Sequence, residues 1–177
     1  MTMSAKEKFL SDEMFSMTLA ATVQRASIYI KGAIEEDKSI FRRDFQIALE
    51  LLSQQYREEH VPDSVHCENI EMLAKNLSAK HGGVLTNSRF RIGSAQKAVN
   101  LYLKYMWCLG RLPMPPHCPI DAVVLSHVPN CSAVRWTKID TVTEYVEIIE
   151  KVKVIAGDAS LSEWELLLYN KASQRSS

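Results

Sequence analysis

Four of the six prolines in this chain fall in one short run, Pro113-Met114-Pro115-Pro116-His117-Cys118-Pro119. No continuous helix passes through such a run, because proline lacks the N–H donor and its ring clashes with the preceding turn. On its N-terminal side lies the best helical pattern in the sequence. Ser94 opens it, Ala98, Leu101, Tyr102, Tyr105, Met106 and Leu109 recur at steps of three and four as its buried face, and Gly110 closes it. On the other side Pro119 suits the first turn of a short helix, Ile120 to His127, which Pro129-Asn130 ends. The stretch Gly93–Asp121 is therefore a long helix, an obligatory extended step and a second helix start, and the rest of the chain must pack around it.

The flanking segments read as helices too. Residues 10 to 31 carry Phe15, Leu19, Thr22, Val23, Ala26 and Ile30 on one stripe, with Gly32 as terminator. A second helix from Ser39 to Arg57 turns Ile40, Phe41, Phe45, Ala48, Leu49 and Leu52 inward and ends before Val61-Pro62. Asp63 or Ser64 caps a third, which carries Val65, Ile70, Met72, Leu73 and Leu77 to about Lys80. Residues 82 to 93 are Gly-flanked and too short for a helix, so a small hairpin or an extended loop is expected. Alternation there sends Arg89 and Arg91 to one side and Phe90 and Ile92 to the other. Thr141 with Glu144 and Ser160 with Glu163 are capping boxes for two further helices. The first turns Tyr145, Ile148, Ile149 and Val152 inward; the second runs through Trp164, Leu167 and Leu168. The expected fold is all-α: a single compact multi-helix domain over residues 1–171, with 172–177 a frayed, disordered tail.

At 46% hydrophobic residues the chain has ample material for a core. No run approaches a membrane span, and the charged N-terminus lacks the apolar segment of a secretory signal, so a cytoplasmic protein is expected. Cys67, Cys108, Cys118 and Cys131 are then reduced thiols.

Charge is distributed very unevenly. From Met72 to Ile120 there is no Asp or Glu, yet the window holds Lys75, Lys80, Arg89, Arg91, Lys97, Lys104 and Arg111. Because the chain balances 21 basic against 21 acidic residues, everything outside the window has a net charge of −7 (14 − 21). Such asymmetry points to a polyanionic partner, nucleic acid being the commonest kind. Gly93-Ser94 at a helix start, just behind Arg89 and Arg91, is a phosphate-binding geometry. Lys97 and Lys104 lie on nearly the same line of the helix, in apolar surroundings that favour a nucleophilic amine, and Asp121 is the first carboxylate after the window. The His66-Cys67 and His117-Cys118 pairs, with His127 and Cys131, do not match metal-ligand spacings, so neither a metal nor a cofactor is expected. Among the aromatics, Tyr102, Tyr105, Trp107 and Trp164 read as core, and Trp136, between Arg135 and Lys138, reads as a partner contact.

The pattern apolar-Gly-Ser-x-x-Lys-Ala-Val over Ile92–Val99, followed by Pro-Ile-Asp over Pro119–Asp121, resembles the helix-hairpin-helix DNA glycosylases. The resemblance is closest to the archaeal 8-oxoguanine branch and its bacterial relatives, and it covers residues 92 to 128. It implies an all-α fold that grips DNA through a Gly-containing hairpin. It also implies that Lys97 attacks C1′ of a flipped nucleotide, breaking the glycosidic bond so that the damaged base leaves and a Schiff base forms before the strand is cut, with Asp121 managing charge and protons. Expected DNA contacts are Arg89, Arg91, Gly93, Ser94 and Lys104. The alternative is a non-enzymatic helical interaction protein, associated with a mobile element or phage defence, that docks its basic window on nucleic acid or an acidic protein.

Overall fold

The computed structural model describes residues 4–23, 26–57 and 60–174. They form seven α-helices in one compact domain: α1 (Ala5–Val23), α2 (Glu35–Ser53), α3 (Asp63–His81), α4 (Ile92–Cys108), α5 (Ala122–Ser126), α6 (Val142–Ala156) and α7 (Leu161–Gln174). Short 3₁₀ turns lie at Gln54–Tyr56, Thr86–Ser88 and Trp136–Lys138. Among the described residues there is no strand, only an isolated antiparallel bridge between Tyr29 and Leu85.

The expected central helix is central in fact. Every residue of α4 from Ile92 to Lys104 is buried, and α1, α2, α3, α6 and the 136–138 turn all pack on it. A helix buried on every side must also satisfy the polar groups it carries. Gln96 shows how α4 meets this demand. Its amide donates to the carbonyl of Ile120 at 2.8 Å, and its carbonyl accepts from the Ile120 N–H at 3.0 Å, so one side chain pairs both backbone groups of a residue just after the prolines. The proline run is thereby fixed against α4, with His117, Cys118 and Ile120 at most 1% exposed. On the far side of α4, Phe15, Phe41, Phe45 and Phe90 form an aromatic cluster with centroid separations of 5.1 to 5.7 Å.

Three expectations change. The first helix does not run from 10 to 31: it begins at Ala5 and ends at Val23, and residues 24 and 25 lie outside the described set. Beyond them the backbone is committed elsewhere, since the Ile30 N–H donates to Val84 O and the Thr86 N–H to Ile28 O. Those same bonds explain why residues 82–91 form no hairpin: their partner is the segment after α1, not themselves. The side-chain alternation there is as expected, with Phe90 and Ile92 buried and Arg89 exposed. Ile30, Ile40, Val65, Met72, Leu109 and Leu167, read as inward, are all exposed. Finally, α7 continues through Gln174, three residues into the expected tail; residues 175–177 lie outside the described set.

Candidate nucleic-acid interface

The two residues singled out for chemistry do meet. Lys97 Nζ donates to Asp121 Oδ2 at 2.6 Å, although they are 24 positions apart. Asp121 is also the N-cap of α5, its Oδ1 accepting from the N–H groups of Val123 and Val124 at 2.9 and 3.0 Å. Burial pushes the Asp121 carboxyl up, but the Lys97 ammonium and these two amides outweigh it and hold it below the ordinary carboxylate value. Lys97 is 7% exposed and lies over the Trp136 ring, 5.8 Å from its centroid. Trp136 is 5% exposed, which corrects its reading as a partner contact: it is the lid over the buried stem of Lys97.

Gly93 and Lys104 also have internal roles. A Cβ on Gly93 would overlap the Trp136 carbonyl oxygen, and the Gly93 N–H already donates to Ile139 O at 2.9 Å. That amide is therefore not free to meet a phosphate, and the glycine is there for close packing. Lys104 is 8% exposed and donates to Glu165 Oε2 at 2.6 Å, under the ring of Tyr169. It ties α7 to α4 and has no part in a surface contact.

The acid-free window is mostly neutralised inside the fold. Lys75 pairs with Glu71, Lys80 with Asp44, Arg89 and Arg91 with Asp140, Lys97 with Asp121 and Lys104 with Glu165. Among the described residues, Arg111 alone of the window's cations has no ion pair. Sequence asymmetry is thus not surface asymmetry: carboxylates from α2, α3, α7, the cap of α5 and the loop before α6 are brought to the window's cations.

One place keeps its positive charge. Arg89, Arg91 and Ser94 converge with Lys138, Thr137, Asn87, Thr86 and Ser27 around a pocket of about 160 Å³, floored by Ala26 and Ile28. Arg89 Nη1 and Arg91 Nη1 lie 3.1 and 3.3 Å from a single oxygen, Asp140 Oδ2, whereas Asp140 Oδ1 is buried with no partner. Lys138 makes no ion pair among the described residues. Asp140 was not singled out from sequence, and Lys138 only as a flank of Trp136. Both lie outside the acid-free window, and only the packing of the 136–138 turn on the start of α4 brings them here. A larger cleft of about 590 Å³ lies between α1, α2 and α4. Ser11 donates to Glu50 within it, and Arg57 and Arg111 line it.

The two His-Cys steps also come together. His66 and His117 stack edge to face with centroids 4.7 Å apart. Asn100 Oδ1 only accepts, so His66 donates to it from Nε2 at 2.9 Å and accepts a hydrogen bond from the Tyr56 hydroxyl at Nδ1, 2.7 Å away. Asn100 Nδ2 donates to the Tyr145 hydroxyl at 3.0 Å, which leaves that hydroxyl to donate to His117 Nδ1 at 2.8 Å. In this arrangement each imidazole accepts at Nδ1 and carries its proton on Nε2, and Asp63 Oδ2 lies 3.4 Å from His117 Nε2. Burial and the neighbouring His117 push His66 down to about 3, and burial lowers His117 as well. No protein-family model, curated protein or solved structure matches the chain.

Proposed function

We propose that the protein binds DNA through the face that carries Arg89, Arg91, Ser94 and Lys138. The carrying observation is the basic pocket beside the start of α4: Arg89 and Arg91 share one carboxylate, and Lys138, without an ion pair among the described residues, lines the same pocket. Guanidinium groups present several N–H donors in a fixed fork suited to phosphate oxygens. Phosphate contacts of this kind make binding salt-dependent, so affinity for a DNA oligonucleotide falls as salt rises, and the slope is shallower in Arg89→Gln/Arg91→Gln. Salt-independent binding, or an unchanged slope in the double variant, contradicts the reading.

A second reading, as a glycosylase and lyase of the helix-hairpin-helix type, is favoured by one observation: Lys97 and Asp121 are in contact. An ion-paired ammonium has no lone pair, so attack on C1′ requires the pair to open, the proton to leave and a flipped nucleotide to reach a nearly buried amine. Borohydride trapping on DNA with abasic and 8-oxoguanine sites decides the matter. A covalent adduct with the wild type that Lys97→Ala abolishes establishes the lyase; salt-sensitive binding without an adduct leaves a binding protein whose Lys97–Asp121 pair is architectural.

A further inference from the structure

We propose that the Arg89–Arg91–Lys138 pocket takes a phosphate monoester, the terminal phosphate of a DNA strand, in preference to an internal phosphodiester. This rests on the DNA-binding reading and narrows it to strand ends.

Size is the first reason. At about 160 Å³ the pocket is well below the roughly 300–1,000 Å³ of sites that enclose a whole small molecule, and buried Ala26 and Ile28 close its floor. It admits a headgroup and excludes a nucleoside. Charge is the second. Arg89, Arg91 and Lys138 against Asp140 give 3 − 1 = +2. A phosphate monoester carries about −1.5 to −2 at neutral pH, and an internal diester carries one negative charge. The pocket complements the dianion.

Ser94 is the third and independent observation. It is 2% exposed and lines the pocket, yet its hydroxyl has no hydrogen-bond partner among the described residues. A hydroxyl on a nearly buried residue that lines a cationic pocket is placed to donate to an anion there. The arginines are graded in depth, Arg89 at the mouth with a 53% exposed side chain and Arg91 further in at 23%. Asp140 Oδ2 lies within ion-pair distance of one nitrogen of each, and each guanidinium has five N–H donors for a ligand. The carboxylate thus pre-orients the pair and competes with the incoming phosphate.

Fluorescence anisotropy with two oligonucleotides of identical sequence, one end-phosphorylated and one not, tests the assignment. The phosphorylated strand binds at least about tenfold more tightly, the ratio expected from one or two added charge-assisted hydrogen bonds. Arg91→Gln and Ser94→Ala reduce that ratio toward one, whereas Asp140→Asn strengthens binding of the phosphorylated strand by removing the competing carboxylate. That gain of affinity does not arise from a misfolded variant. Equal affinity of the two strands overturns the monoester assignment and leaves DNA binding standing. Glycerol phosphate identifies the source of the ester. Competition by it with the phosphorylated strand alone supports the assignment; saturation by it with no binding of either strand overturns the strand-end ligand together with the DNA reading.

Discussion

Gly93 is held where any side chain would strike the Trp136 carbonyl, so Gly93→Ala forces α4 and the 136–138 turn apart. The expected loss is about 1–3 kcal/mol, as for other overpacked sites, and chemical denaturation measures it. Because the same turn carries Lys138, this variant also weakens anion binding. Lys97→Ala is expected to cost about 3 kcal/mol, since it leaves the Asp121 carboxylate partly buried and unpaired; a loss below about 1 kcal/mol contradicts the buried-pair account. Both residues were legible in the sequence as special, Gly93 by its place at a helix start and Lys97 by its acid-free surroundings. The pairing of Lys97 with Asp121 was anticipated as well, from the resemblance and from Asp121 being the first carboxylate after the window, whereas the contact of Gly93 with Trp136, 43 positions away (136 − 93), had no local signature.

Local signals define elements well where they act within a few residues. The capping box of α6 is present in full: the Thr141 hydroxyl accepts from the Glu144 N–H at 3.2 Å, and the Glu144 carboxylate accepts from the Thr141 N–H at 2.9 Å. Thr141→Ala should therefore cost about 1 kcal/mol in thermal or urea unfolding, and no loss would show the box to be ornamental. The α4 pattern and the proline stop were equally plain. Apolar residues were a poorer guide on α2 and α3, where Ile40, Val65 and Met72 are exposed and the buried face of α3 instead carries His66, Cys67 and Asn69. Periodicity counts apolar side chains, and this fold gives interior places to polar ones that bond to each other. Likewise α1 stops early, because residues 28–30 bond to 84–86, a distant pairing with no local signature.

For the whole molecule, the consequence is a core that is neutral by design and sensitive to acid. His66 and His117 are held uncharged in the fold but protonate freely when it opens. The unfolded state then binds more protons, so stability falls as pH falls: it is fully present above the unfolded imidazole value near 6.5 and is lost progressively toward the folded His66 value of about 3. The urea midpoint should drop between about pH 7.5 and 5, by the equivalent of a few kcal/mol at most, and His66→Gln should flatten that dependence. A midpoint that does not move across this range contradicts the neutral-imidazole network. Charge behaves the same way at this scale: among the described residues six of the window's seven cations form intramolecular ion pairs, and Arg89 and Arg91, which share Asp140, join Lys138 from outside the window in one basic pocket. Amide chemical-shift mapping with an end-phosphorylated DNA strand tests that claim most directly. The account predicts shifts concentrated at Thr86–Arg91, Ser94 and Thr137–Lys138. Shifts confined to the cleft around Ser11, Glu50 and Arg111, or no shifts at all, would contradict it.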